Sequence, residues 1–527
     1  MKSIWGNTRQ DQSNGGSDQA SGRDSLHEER DSAPPNEHTR LLPNRVESTA
    51  YLSPDDPAVS PYNLRSVRFT RYLTLIFSLG IAFPWWILLL VSIFVTPPGF
   101  HIRGSGFFPF SYASVALFNL IFTLLFFTVP AKAVRVAGLV LGCLLFVNVI
   151  LLVSVKQTMY EEGWVGVASA LWALLTVIWT MAIDRLVEWG KYEEEERLTG
   201  RAETRRTLSE WVGVLVSTIS MVVLAVVVFL MTCALILRAL DAGLAPPGKL
   251  YWVDGDKYRM HVYCHGNTTG SRSPTVLLEG GEGPVENGLW DFAHNAVKNG
   301  SISRYCFVDR PGFAWSDTAP SPLSAGMVVE AIDEALVRAG EDGPWVLMSA
   351  GIGSLYSRIF SSRHGENIKG LLLVDPLHEE FLDDVGNPGR GFILWLRGII
   401  SPLGLDRVPA AVFRGRTKED RVWGRSAYQT GKYIYAKLQE NLVAATLSKR
   451  DVASSRAIQA PDVPLVLVSS GVKIRKDSEW REKQKDLSGL TNKLRHWDIV
   501  EDAPHQVWET LGGREVIEKR LRQLVRG

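Results

Sequence analysis

The chain has 527 residues, with 57 basic against 56 acidic side chains and a formal net charge of +1. Such a balance offers none of the basic footprint that nucleic-acid binding requires, so nucleic acid is excluded as a partner; at roughly 150 residues per domain the length allows about three domains. The four cysteines include no CxxC pair, which excludes a disulfide scaffold or a Cys-based zinc site as the organising feature.

The average composition hides a partition into three parts. Residues 1–71 are rich in Ser, Asn, Asp, Gly and Pro. Such a segment cannot bury enough apolar surface to offset its ordering entropy and is predicted to be a disordered cytosolic tail. Acidic residues throughout and the lack of an initial apolar run exclude a signal or transit peptide. Glu37, Leu41 and Leu42 resemble the acidic dileucine signals read by endosomal and vacuolar sorting adaptors; a chance match in a tail is the competing reading.

Five apolar runs follow, at 72–95, 107–131, 136–155, 164–183 and 211–237, free of Asp, Glu, Lys and Arg. Each is long enough to cross the hydrocarbon layer as a helix, so residues 72–237 are predicted to be a five-span membrane region in contact with the lipid bilayer. Trp85, Trp86, Trp164 and Trp211 fit aromatic placement in and near the interfaces, and Pro84 can kink the first span. Uncharged spans disfavour a transporter or channel.

Flanking charge sets the expected orientation. Arg65, Arg68 and Arg71 precede the first run, Lys132 and Arg135 lie between the second and third, and a charged stretch from Arg185 to Arg206 separates the fourth and fifth. By the positive-inside rule the N-terminus is cytosolic and the part beyond Arg238 lumenal. The stretch 188–210 reads as a solvated cytosolic helix. Two glycosylation sequons, at Asn267 and Asn299, lie on the lumenal side of this scheme.

From about Lys249 to Gly527 short apolar runs alternate with amphipathic stretches. Strands are predicted at 258–264, 275–278, 305–308, 345–348, 370–374, 465–468 and 496–500, and helices at 287–298, 325–339, 352–362 and 514–525. The alternation argues for a mostly parallel, doubly wound sheet with ligands at the carboxyl ends of its strands. Residues 376–462 interrupt it with partly apolar helical sequence, placed to form a lid over those ends. Its run Phe392, Ile393, Leu394, Trp395 and Leu396 suits an acyl or lipid ligand, but equally a face against the sheet or the membrane.

Within 249–527 five ordered segments resemble the α/β-hydrolase superfamily. Leu277-Leu278-Glu279-Gly280-Gly281-Glu282-Gly283 is similar to the strand and glycine-rich turn that supplies an oxyanion-hole N–H. Asp309-Arg310-Pro311-Gly312-Phe313-Ala314-Trp315-Ser316 resembles the D-R-x-G-x-G-x-S turn, with Ala314 at the middle glycine. Ser349-Ala350-Gly351-Ile352-Gly353 stands where the nucleophile elbow belongs. The strand ending at Asp375 and the segment leading to His505 resemble the acid and histidine positions. The resemblance implies an α/β-hydrolase fold with the backbone N–H groups of Glu282 and Ile352 as oxyanion donors. The order of tail, spans and hydrolase-like domain is similar to uncharacterised multi-pass fungal membrane proteins, which implies an endomembrane location, the vacuole among the candidates, with a mitochondrial membrane as the alternative.

The elbow departs from the family pattern. In G-x-S-x-G the serine occupies the tip of a strained strand-to-helix turn. Here Gly351 occupies that tip and has no side chain with which to attack. Ser349 falls two residues earlier, where it is expected to pack beneath the turn, and Ser354 falls inside the following helix; both read better as small packing residues than as nucleophiles. His505 and Asp375 remain as general base and orienting acid, with Asp477 a rival acid. Two functions compete: a pseudohydrolase that binds a ligand or a protein, for which the serine-free N-myc downstream-regulated family is an analogy, or a hydrolase of esters, lipids or peptides using an unusual nucleophile or His505-activated water. No cofactor, metal or nucleotide is expected. Cys264 and Cys306 fall on strands that neighbour each other in this fold; a disulfide and two buried thiols are the alternatives.

Overall fold

Five helices long and apolar enough to cross a membrane come first: Arg65–Ser92, Phe107–Leu125, Lys132–Ser154, Lys156–Thr199 and Leu208–Asp241. They belong to a computed structural model that describes residues 51, 59–100, 102–200, 206–267 and 273–526. The dileucine segment with Glu37, Leu41 and Leu42 lies outside the described residues. The first two helices end before their apolar runs do. Pro97 and Pro130 cannot donate to the carbonyls four residues back, at Ile93 and Phe126, which are the positions where the helices stop. Pro84 likewise leaves the Gly80 carbonyl without its usual donor, and the first span takes a π turn over Phe77–Ala82, with the Phe83 N–H reaching back to Ser78.

The fourth helix breaks at Gly163, φ 61°, immediately before its apolar run, and then continues to Thr199. The expected charged helix is thus a continuation of the fourth span. Trp85 and Trp86 face into the bundle, where their indole N–H groups donate to Ser169 Oγ at 3.0 Å and Ser114 Oγ at 2.9 Å. Such bonds satisfy polar groups between packed helices. Trp164 and Trp211 remain exposed.

The second part is an eight-stranded sheet in the order β1-β2-β4-β3-β5-β6-β7-β8, with β1 Lys249–Val253, β2 Tyr258–Gly266, β3 Thr275–Glu279, β4 Arg304–Val308, β5 Trp345–Ala350, β6 Ile368–Val374, β7 Pro464–Ser470 and β8 Lys493–Val500. β2 runs antiparallel to β1 and β4, and the pairs from β3 to β8 are parallel. This is the α/β-hydrolase fold. Central strands are covered on both faces, which is why they read as continuous apolar runs. In β5, Trp345 and Leu347 join one core while Val346, Met348 and Ala350 join the other. β1 and the helix Ser478–Leu487 had no distinct sequence signal, the first being a short edge strand and the second mostly charged.

Cys264 and Cys306 stand opposite each other in the β2–β4 register and are disulfide-bonded. The insertion between β6 and β7 carries the helices Pro388–Ile400, Arg407–Phe413, Gly431–Val443 and Lys449–Ile458. It touches both the spans and the sheet. A Cβ on Gly398 would lie 2.0 Å from the Phe107 ring, and one on Gly404 2.9 Å from Ala234 Cβ, so these glycines permit close docking on the second and fifth spans. Leu394, Trp395 and Ile399 pack with span residues, whereas Phe392, Ile393 and Leu396 stay exposed.

Candidate functional site

β5 ends at Ala350 and the helix Gly353–Arg363 begins almost at once, so the chain reverses at Gly351. Its φ of +47° lies in the left-handed region that side-chain-bearing residues avoid. The turn is held by Gly351 N–H to Val374 O at 3.1 Å and Leu377 N–H to Gly351 O at 3.0 Å.

At the end of the neighbouring β6, Asp375 is fully buried. One oxygen meets His505 Nδ1 at 2.5 Å. The other accepts from the Ser470 N–H at 3.1 Å and Trp480 Nε1 at 3.0 Å. These donors hold the carboxylate in place, and the carboxylate fixes the imidazole with Nε2 turned toward the elbow. Asp477 instead accepts from the Trp480 N–H at 3.1 Å and caps the helix Ser478–Leu487.

A Cβ built on Gly351 would lie 3.0 Å from His505 Nε2, 3.4 Å from Cε1 of the same ring and 3.7 Å from Gly281 Cα. The tip, the histidine and the glycine-rich loop therefore converge on one point, but the imidazole has closed on the space of the missing side chain. Ser349 is fully buried and its hydroxyl has no hydrogen-bond partner. Ser354 donates to Gly351 O at 2.7 Å. Neither hydroxyl is presented to the tip.

The loop that contains Glu282 is shaped by Arg310, which is buried. Its Nε meets Glu279 Oε1 at 3.0 Å, its guanidinium meets Glu440 at 3.1 Å, and it donates to the carbonyls of Gly280 and Gly281. These bonds anchor the carbonyl side of the glycine-rich loop, whose Gly281 Cα lies 3.7 Å from the position of a Gly351 Cβ. Burial, aided by Asp309 and Glu440, pushes the Glu279 carboxyl up to about 8. The Lys437 ammonium, 2.9 Å away, holds Glu282 down to about 2. From the insertion, Tyr433 Oη also donates to Glu282 O at 2.6 Å. Sequence reasoning missed Tyr433, Lys437 and Glu440. They lie far along the chain in a segment without a motif, whereas Arg310 was visible beside Asp309.

Among the described residues, three groups of His, Cys, Asp and Glu are compact enough to invite a metal. Cys264 and Cys306 are consumed by their disulfide. His261 accepts the Gly248 N–H on Nε2 at 3.2 Å, so Nδ1 carries the proton it donates to Asp309 at 2.9 Å; no nitrogen lone pair is left for an ion. Burial and the Asp309 charge push the neighbouring Glu286 well above the usual carboxylate range. His378 accepts the Glu380 N–H on Nδ1 at 3.2 Å and donates from Nε2 to Asp486 at 2.8 Å. These donor sets favour protons over ions.

Asn299 is exposed at the end of the helix Leu289–Lys298, while the Ser301 hydroxyl of its sequon is buried against Glu518. Asn267 is exposed; Thr268 and Thr269 lie outside the described residues.

A family model described as a region of unknown function (DUF2417) matches residues 37–264, thus covering all five spans and the first two strands. An uncharacterized protein of Schizosaccharomyces pombe is 32% identical over 523 residues, covering 93% of this chain and 97% of its own. An uncharacterized vacuolar membrane protein of Saccharomyces cerevisiae is 26% identical over 384 residues, 61% of this chain and 59% of its own. Among solved structures, a carboxylesterase of Nitrososphaera gargenis aligns at 10% identity over 53% of this chain and 99% of its own, TM-score 0.39. A putative ancestral haloalkane dehalogenase aligns at 13% over 53% and 100%, TM-score 0.39. Strand order and direction, rather than these alignments, carry the fold assignment.

Proposed function

From the premise that this chain belongs to the same family as the Schizosaccharomyces pombe protein, we propose that it is a membrane-anchored α/β-hydrolase-fold protein with a catalytically silent cleft that serves as a ligand-binding or protein-docking module. The observation that carries this reading is Gly351. It occupies the nucleophile position at φ +47°, and a side chain there would begin only 3.0 Å from His505 Nε2. A working triad needs a serine oxygen between that point and the imidazole, and at 3.0 Å the ring stands in tight contact with the position of the Cβ itself. The backbone N–H groups of Glu282 and Ile352 are an anion-binding pair for a carbonyl or carboxylate, since main-chain donors do not depend on side-chain identity. An acyl or lipid ligand fits the apolar helix Pro388–Ile400 beside the spans.

Five candidate crossings and the flanking arginines support a cytosolic N-terminus and a lumenal sheet domain. The Cys264–Cys306 disulfide supports that orientation, because such bonds persist in oxidising compartments, as do the sequons at Asn267 and Asn299. The vacuolar membrane named for the Saccharomyces cerevisiae relative accords with a sorting adaptor reading Glu37, Leu41 and Leu42, and we assign the protein to an endomembrane of that kind.

A second reading, hydrolysis by water activated at His505, is favoured by one observation: the Asp375–His505 pair is intact at 2.5 Å. Fluorophosphonate labelling and short-chain ester turnover of the full-length protein separate the two. The silent cleft gives neither signal. Turnover lost in His505→Ala, without labelling, establishes the water mechanism; labelling lost in Ser349→Ala overturns the first reading.

A further inference from the structure

Where the ends of the spans meet the insertion there is a cavity of about 220 Å³, smaller than the roughly 300–1,000 Å³ of sites that engulf a whole drug-sized molecule. Its walls come from three places. Phe108 and Arg238 belong to the second and fifth spans, Pro284 to the glycine-rich loop, and Arg407, Arg421 and Lys432 to the insertion. Neither Gly351 nor His505 lines it, so the site stands apart from the cleft and does not depend on the reading given for it.

The charges in this cavity are unevenly matched. On the span side Arg238 is balanced by two carboxylates, Glu161 at 2.5 Å and Glu162 at 2.7 Å. On the insertion side the excess is positive. Arg407 and Arg421 both fall on the single carboxylate of Asp241, each at 2.6 Å, and Arg407 Nε has no acceptor. Lys432 donates to Ala314 O at 2.7 Å and, among the described residues, forms no ion pair with a carboxylate. With Arg238 and its partners included, four cations (Arg238, Arg407, Arg421 and Lys432) face three carboxylates (Glu161, Glu162 and Asp241), Glu161 also acting on Lys432 and Arg407, so one positive charge is left over in a half-enclosed space. Burial, reinforced by Arg238 and Arg421 and opposed by Asp241 and Glu161, pushes Arg407 down to about 10, and burial also lowers Lys432 against the pull of Glu161, Asp317 and Asp309; both cations are held where water solvates them poorly.

We propose that this cavity binds a phosphate-type oxyanion, held by Lys432, Arg407 and Arg421. An oxyanion supplies several acceptors and the missing negative charge together, and guanidinium groups match it in geometry. The cavity lies at the ends of the second and fifth spans, the lumenal ends in the proposed topology, and its size suits a head group whose tails remain in the bilayer. Lys432 lies in the first turn of the helix Gly431–Val443, which also carries Lys437 and Glu440 over the glycine-rich loop. Occupancy of the cavity would thus be felt at the cleft through one rigid element.

The test uses the full chain in non-ionic detergent, with thermal unfolding followed by tryptophan fluorescence. Dioctanoyl phosphatidic acid and inorganic phosphate are titrated separately, with dioctanoyl phosphatidylcholine as the control. A saturable stabilisation by phosphatidic acid, weakened about ten-fold in Lys432→Gln and Arg407→Gln, is expected. If phosphate reproduces it at similar concentration, the free anion is the ligand; if only the lipid does, the ligand is a head group. The proposal is overturned if neither anion stabilises the wild-type chain beyond phosphatidylcholine, a comparison that needs no variant to fold, or if both variants respond as the wild type does.

Discussion

His505 Nε2 lies 3.0 Å from the point at which a side chain on Gly351 would begin. In the proposed reading most of a hydrolytic site surrounds that point, with glycine at the nucleophile position. Gly351→Ser is therefore the most informative single change. The new side chain must adopt φ +47°, at a cost of about 1–3 kcal/mol, and must push the imidazole back by a few tenths of an ångström. Gly351→Ser is expected to unfold at lower temperature and to gain fluorophosphonate labelling that disappears when His505→Ala is added. Unchanged stability with no labelling would mean that the turn has relaxed away from the observed geometry.

The two nearby serines should respond differently. Ser349 hides an unpaired hydroxyl, so Ser349→Ala is expected to leave stability unchanged or raise it. Ser354 donates to Gly351 O, and Ser354→Ala is expected to cost about 1 kcal/mol. Denaturant midpoints of the two variants check the ordering.

Reduction should reveal the Cys264–Cys306 bond. Intact mass after alkylation of the denatured protein is expected to show two modified thiols, Cys143 and Cys233, and four after prior reduction. Cys306→Ala should lower stability by about 2–4 kcal/mol.

Glu279 provides a pH signature. Its ordinary value is 4.5 and the fold raises it to about 8, so between these values the native state holds a proton that the unfolded chain has released. The stability this group contributes is fully present below pH 4.5 and is lost as pH rises through about 8. Glu279→Gln, which cannot titrate, is expected to flatten stability against pH across that window, as measured by chemical denaturation.

Orientation is open to a glycan test. With the sheet domain lumenal, endoglycosidase treatment is expected to increase the mobility of the wild-type protein on a gel, less so for Asn299→Gln, and not at all for Asn299→Gln combined with Asn267→Gln. A wild-type chain unaffected by the enzyme would count against that topology.

The sequence by itself determined the five spans, the central strands and the departure at the elbow. Uncharged runs of twenty residues and doubly covered strands are local patterns, and Gly351 stands out because its flanking residues align with a known turn. Tertiary structure alone decided that Asp375, and not Asp477, meets His505; that Cys264 faces Cys306; that Trp85 and Trp86 hydrogen-bond to serines of other helices; and that Arg407 and Arg421 meet on Asp241 in a cavity that Lys432 also lines. Each of these joins residues far apart in the chain whose meeting depends on strand order and on how the insertion docks through Gly398 and Gly404. Charge and hydrogen-bond partners are properties of positions in space, and local periodicity carries no record of which distant side chain will stand opposite.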